Sequence, residues 1–289
     1  MSDTDPAKRG RLLTVSPSRL ALWLDCPKAY RMRYLDRPRP PMPPQRAVVS
    51  IGNSAHAALS RFWDLQPHDR TPDGVQGLLG EVWQESGFEG VEQSRWWRRR
   101  VAMWLVDYLR GVDRDRDPMA VERTVALPTA TLAISGRVDR VEERDGELVV
   151  IDYKTSANPP EPHAARTSLA LGLYALALSR MFRRPVRRVE LHHLPTRSHV
   201  AHRHTEISLQ RKLVEAESIG EDLIAAHTDF DAHGLGAASF EARPSALCRW
   251  CPVQQSCEQG RQVGPAMSGS AGLDRLAAAG AQSAEEAPD

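Results

Sequence analysis

The 289-residue sequence contains no run of 18 apolar residues, so no segment is long enough to cross a bilayer as a helix. Its opening, Met1-Ser-Asp-Thr-Asp-Pro, lacks the charged-then-apolar pattern of an export signal. These two absences predict a soluble, cytoplasmic protein with no membrane partner. Excess charge is missing too: 38 basic residues meet 37 acidic ones for a net charge of +1. That balance excludes wholesale coating of nucleic acid but leaves room for a local basic groove. Lysine is scarce, with only Lys8, Lys28, Lys154 and Lys212 among the basic residues, so arginine is the default cation. Cysteine is limited to four residues, and in a chain expected to be intracellular these are poor candidates for structural disulfides. Cys26 stands alone, while Cys248, Cys251 and Cys257 form a C-x2-C-x5-C cluster. With 41% apolar and 26% charged residues, the chain is globular and long enough for one large domain or one domain with substantial additions.

The most informative stretch runs from Ile134 to Thr155. Two runs rich in β-branched residues flank Asp145-Gly146, the dipeptide that favours a two-residue type I′ hairpin turn. The turn makes Arg144 and Glu147 the closing pair, and stepping outward from it sets Asp139 opposite Asp152 and Arg137 opposite Lys154. Like charges directly opposed destabilise a sheet. An isolated pair of aspartates is ordinarily a solvated polar face. Here Leu148-Val149-Val150-Ile151 is a continuous apolar run, as in a strand covered on both sides, and carboxylates at the end of such a strand need a compensating charge. Mg²⁺ or Mn²⁺ held by Asp139 and Asp152 would supply it. Lys154 shares the face of Asp152, and in an arginine-based chain a lysine there suits a compact ammonium that can hold a water or a developing charge.

Along the chain, Ser16-Pro17 predicts a helix start, interrupted at Cys26-Pro27, and Pro38 to Pro44 reads as an extended linker. Gly52 to Leu65 reads as a helix with Ala55, Leu59 and Phe62 on its core side. Residues 75 to 111 read as two helical segments, the second carrying Arg95-Trp96-Trp97-Arg98-Arg99-Arg100 ahead of Val101, Trp104, Leu105 and Tyr108 at core spacing. Cations interleaved with aromatics suit a single-strand groove, so Arg98 and Arg99, like Arg137 in the hairpin, are candidate nucleic-acid contacts. Tryptophans at helical spacing are more often core. Strands are expected over Glu122 to Leu127, Thr131 to Val141, Val186 to Leu194 and Val200 to Ile207, with helices over Leu169 to Met181 and Ser208 to about His227. That alternation predicts a mixed α/β sheet.

Gly136-Arg-Val-Asp139 followed by Asp152-Tyr-Lys154 resembles the G-x-x-D and D-x-K motifs of the PD-(D/E)XK nuclease core in its RecB-type form. The resemblance implies a restriction-endonuclease-like α/β fold, a mixed central sheet flanked by helices, and catalysis by Asp139, Asp152 and Lys154. Gly52-Asn-Ser-Ala-His56 matches the family's helical G-x-x-x-H, which implies that His56 is a third metal ligand beside Asp139 and Asp152. Tyr174 fits the family tyrosine on the helix after D-x-K, an expected nucleic-acid contact. The glutamine expected four residues earlier is Ala170, a departure that removes a side-chain amide and leaves its role to another residue such as Ser168.

Zinc and an iron–sulfur cluster both accept four thiolates, so ligand count does not separate them. One remote cysteine ahead of the core and three behind it resemble the iron–sulfur staple of AddB-type and CRISPR-associated RecB-type nucleases. That likeness implies a 4Fe–4S cluster on Cys26, Cys248, Cys251 and Cys257 and spans residues 16–257. The expected organisation is a disordered 1–13, an N-terminal helical region 14–118, a nuclease core 119–239, a cysteine segment 240–262 and a disordered tail 263–289. The function expected from these residues is a metal-dependent exonuclease acting on single-stranded DNA or DNA ends, in DNA repair or recombination. Its rival is a non-catalytic DNA-binding or scaffold protein that keeps the fold and the cluster.

Overall fold

Asp145 and Gly146 both take positive φ, 50° and 76°, as a type I′ turn requires. The computed structural model describes residues 12–285. In it the turn joins β3 (Leu132–Arg144) to β4 (Glu147–Lys154), and the pairs run outward in register from Arg144–Glu147 to Arg140–Ile151. There the recorded ladder ends, one pair short of Asp139 and Asp152.

The reason lies in how the other strands share β3. Antiparallel β2 (Ala120–Pro128) covers one edge of β3 from Ala133 to Val141. Only the other edge remains for β4 and for parallel β1 (Leu13–Val15), which pairs with Leu132 to Ile134. Between these two neighbours, Ser135 to Asp139 have no strand on that edge. Beyond β4, parallel β5 (Val186–His193) and antiparallel β6 (His199–Arg203) complete six strands among the described residues.

Helices cover both faces, which is why Leu148, Val149, Val150 and Ile151 are all fully buried. Leu148 and Val150 pack into one core with α1 (Pro17–Asp25), α7 (Leu169–Phe182) and α8 (Glu206–His233). Val149, Ile151 and Tyr153 pack into the other with α3 (Ala47–Asp64), α4 (Val75–Val82) and α5 (Val91–Arg110). Short helices α2 (Pro27–Tyr34), α6 (Ala164–Thr167) and α9 (Glu258–Gln262) fill connections. Ser16 caps α1 with Pro17 at its first position, as expected.

The second core holds a buried cation. The Arg140 guanidinium lies 4.7 Å from the Trp63 ring centroid and 5.6 Å from that of Tyr153, and it donates to Tyr108 Oη at 3.1 Å. Its ion pair with Glu142, at 2.8 Å, supplies the countercharge that a buried guanidinium needs.

Both termini correct the sequence reading. Leu13, expected in a disordered segment, pairs in the sheet, while residues 1–11 lie outside the described residues. The tail, expected to be disordered or a short loose helix, forms α10 (Leu273–Glu285), and Leu273 and Leu276 are buried in the second core. These two residues join a core already built by α3, α4 and α5, and Arg100 of α5 donates to the Ala277 carbonyl at 2.6 Å. Residues 286–289 lie outside the described residues. Smaller differences follow from local chemistry. α8 begins at Glu206 rather than Ser208 because Thr205 Oγ1 accepts the Ser208 N–H as its N-cap, which ends β6 early.

Candidate active site

The unpaired stretch of β3 is where the chemistry collects. Asp139 replaces the missing ladder with its side chain: Oδ2 accepts the Tyr153 backbone N–H at 2.7 Å, and Oδ1 lies 3.3 Å from His56 Nδ1. The expected face-to-face pairing of Asp139 with Asp152, and of Arg137 with Lys154, is therefore absent from the ladder. The Asp139 side chain takes the Tyr153 N–H where the ladder stops, and its carboxylate still raises the Asp152 pKa.

A residue absent from the sequence-based site joins this group. Glu122 stands on β2 between the pairs Val121–Arg140 and Arg123–Val138, opposite Asp139. Its φ of 46° is left-handed, a conformation that strains a non-glycine residue by roughly 1–3 kcal/mol and is concentrated at functional sites. Ligand atoms of His56, Glu122 and Asp139 all lie within 4.8 Å of one another, the one such set of three or more among the described residues. An octahedral Mg²⁺ with bonds of about 2.1 Å spans ligand pairs of roughly 3–4 Å, so this set fits a hard divalent cation. The β2–β3 connection carries no diagnostic turn dipeptide, and Glu122 could not be placed opposite Asp139 without it.

Asp152 is next to this set rather than within it. Lys154 Nζ stands 2.5 Å from Asp152 Oδ2 and forms an ion pair with it. Burial raises the Asp152 pKa; Lys154 opposes the rise and Asp139 adds to it. Glu122 is likewise raised, by burial and then by Asp139, despite Arg137 Nε at 2.6 Å. Burial alone would lower His56, but Asp139, Asp152 and Glu122 outweigh it and raise its pKa. Three carboxylates crowd one mouth, and the field favours any added positive charge.

Gly136 and Tyr174 explain each other. A Cβ at Gly136 would meet Tyr174 Cε1 at 2.5 Å, so the glycine makes room for the ring. Burial, with Asp152 and Asp139 nearby, pushes the Tyr174 pKa up to about 12, and its hydroxyl stays a neutral donor. Ala170 lies one turn before Tyr174 on α7, and Ser168 Oγ is occupied as that helix's cap, accepting the Leu171 N–H at 3.2 Å.

Arg137 lines the groove of about 710 Å³ that opens beside His56. Arg98 and Arg99 do not: they are exposed on α5, outside the groove's lining. In the same helix Trp97 and Trp104 are core, and Trp96 is exposed beneath the Arg100 guanidinium at 5.2 Å.

The four cysteines line one cavity of about 220 Å³. Every sulfur has a backbone N–H directed at it: from Arg243 to Cys26 at 3.5 Å, from Ser245 to Cys248 at 3.4 Å, from Gly260 to Cys257 at 3.4 Å, and from Val253 to Cys251. No three of these sulfurs lie within 4.8 Å of one another, wider than the roughly 3.8 Å edge of a tetrahedral zinc–thiolate site. The fold thus carries two electron-rich concavities, one hard and oxygen-lined, one soft and sulfur-lined.

Residues 14–258 match the family described as the PD-(D/E)XK nuclease superfamily. No curated protein matches the chain.

Proposed function

We propose, from the premise that the chain belongs to the PD-(D/E)XK nuclease superfamily, that it is a metal-dependent DNA exonuclease of the RecB type. Its substrate would be single-stranded DNA or DNA ends, in repair or recombination. One observation carries the reading: His56, Glu122 and Asp139 meet within 4.8 Å, beside Asp152 and the ammonium of Lys154.

Mg²⁺ or Mn²⁺ held by His56, Glu122 and Asp139, with Asp152 alongside, would polarise the phosphodiester and activate a water. Lys154 donates from its ammonium to that water or to the charge that develops on the phosphoryl oxygens. Arg137, at the groove mouth, offers a guanidinium to a neighbouring phosphate. Tyr174, kept neutral, offers a hydroxyl proton beside the carboxylates without adding to their charge. Arg98 and Arg99 then serve at most a distal strand.

The cysteine cavity suits a 4Fe–4S cluster held by Cys26, Cys248, Cys251 and Cys257. Four sulfurs lining one cavity, each with a backbone N–H directed at it, support this reading. The cluster would join residues 26 and 257 and so lower the entropy of the unfolded chain. Protein purified without oxygen is expected to be brown, with about four irons per chain. Stoichiometric zinc without visible absorbance would overturn this assignment.

A non-catalytic DNA-binding or scaffold protein is the second reading, favoured by Ala170, which removes the family amide. Labelled single-stranded, linear duplex and circular DNA, each with Mn²⁺ and with EDTA, separate the two. Loss of mononucleotides from free ends, stopped by EDTA and absent on circles, is the expected result. Binding without cleavage on every substrate would support the scaffold.

A further inference from the structure

The groove that opens at His56 runs along one face of α3. Val49, Asn53, His56 and Ser60 share that face at helical spacing, and Asn53 lies about 4.5 Å from His56 along the axis. Beside Asn53, across the groove, stands Gln84. A phosphate subsite calls for cations. Arg61 and Arg137 line the same groove, paired to Glu81 and Glu122, while at Asn53 and Gln84 its wall carries neutral amides.

These amides are held in place. Gln84 Oε1 accepts from Gln45 Nε2 at 2.7 Å and from Asn53 Nδ2 at 3.3 Å. Gln45 Nε2 also donates to Ser50 Oγ at 2.9 Å, and the Gln84 backbone N–H donates to Ser54 Oγ at 3.0 Å. Gln84 Nε2 and Asn53 Oδ1 make no hydrogen bond to any described residue. The pair therefore ends in one open donor and one open acceptor, both at an exposed groove wall. Base edges present hydrogen-bond donors and acceptors side by side, and amide side chains, which carry both, are the usual partners for them.

We propose that Asn53 and Gln84 bind the base edge of the nucleotide next to the scissile phosphate and thereby favour single-stranded DNA. The proposal rests on the nuclease reading above and supplies its substrate preference. A base can use its Watson–Crick edge here only when that edge is unpaired, so a duplex forfeits the contact. Val49, 46% exposed two turns from His56, continues the groove with an apolar surface for the next base.

The test is an abasic scan: single-stranded oligonucleotides, each lacking one base, compared with the intact strand for wild type and for the double variant Asn53→Ala/Gln84→Ala. Wild type should show one position, adjacent to the cleaved bond, where base removal lowers kcat/KM about tenfold, the scale of one two-bond amide contact. In the double variant the intact-to-abasic ratio should collapse to about one, with Mn²⁺ affinity retained. A wild type indifferent to every abasic position, or a ratio that survives in the variant, would overturn the proposal. The same scan read as binding in EDTA keeps the two readings apart. Absent cleavage retracts the nuclease, whereas the binding ratio still decides the amide pair. If the double variant melts early, Gln84→Ala, at an exposed side chain, carries the same comparison.

Discussion

The two ends of the β3–β4 hairpin are built from the same strands and behave as opposites. At the turn end, acids and arginines alternate in contact. Arg184 lies 2.9 Å from Glu143, and Arg144 lies 2.7 Å from Glu142 and 2.9 Å from the buried Glu190. At the open end, Glu122, Asp139 and Asp152 gather around His56 while one neighbouring strand is missing, and Lys154 and Arg137 do not balance them. One end contributes stability. The other concentrates negative charge that an added cation relieves. A sheet can carry such a site because its repulsion is confined to the stretch where the ladder stops.

The largest expected break in this comparison is Asp139→Asn. The amide oxygen can still accept the Tyr153 N–H, so thermal stability in EDTA should stay near wild type, while loss of an anionic ligand removes metal-dependent cleavage by at least roughly 10³. Retained cleavage in a Mn²⁺ titration would exclude Asp139 as a ligand. Metal removal comes next. At a Mn²⁺ concentration about 100 times its dissociation constant, binding to the folded state alone should add about 2.7 kcal/mol, seen as a fall in Tm on EDTA addition. Asp139→Asn should not show that fall.

Glu122→Gly separates strain from ligation. Glycine accepts the left-handed φ of 46°, so the variant should be more stable than wild type in EDTA by about 1 kcal/mol while binding Mn²⁺ more weakly. A variant weakened in both would mean that the Glu122–Arg137 ion pair stabilises the apo fold. At the turn end, burial alone would raise Glu190, but His192 and Arg144 outweigh it and bring its pKa down to about 2 from 4.5. A depressed carboxylate contributes stability that is fully present above pH 4.5 and is lost as pH falls toward 2. Acid unfolding of Glu190→Gln should lack that component of the slope. The smallest effect is Gly146→Ala, which places a side chain at a φ of 76° and should cost about 1 kcal/mol in denaturant unfolding, with turnover per folded molecule unchanged.

Much of this was legible because it depends on local rules. Asp145-Gly146 set the turn and with it the register from Arg144–Glu147 inward, and the apolar run at 148–151 signalled a strand covered on both faces. Ser16-Pro17 marked a helix start that α1 uses. What could not be read depends on contacts distant in sequence. The end of the ladder at Arg140–Ile151 follows from β1 and β4 sharing one edge of β3, and β1 is only three residues long. Glu122 enters the site through a left-handed residue that no pattern announces. The docked tail is invisible for the same reason: Leu273 and Leu276 look too few to fold until the second core is present. Arg98 and Arg99 are exposed on α5 outside the groove beside His56, where Trp97 turns into the core while Trp96 stays exposed.

The central claim is that the open end of the hairpin both holds a metal and uses it, and Lys154→Ala divides the two. Wild type and variant should bind Mn²⁺ with equal affinity, because His56, Glu122, Asp139 and Asp152 are intact. On end-labelled single-stranded DNA the variant should then cleave roughly 10²–10³ times more slowly than wild type, with EDTA stopping both. Equal inertness of the two proteins, with equal DNA binding at every salt concentration, would contradict the account and leave a fold that holds its site without the chemistry.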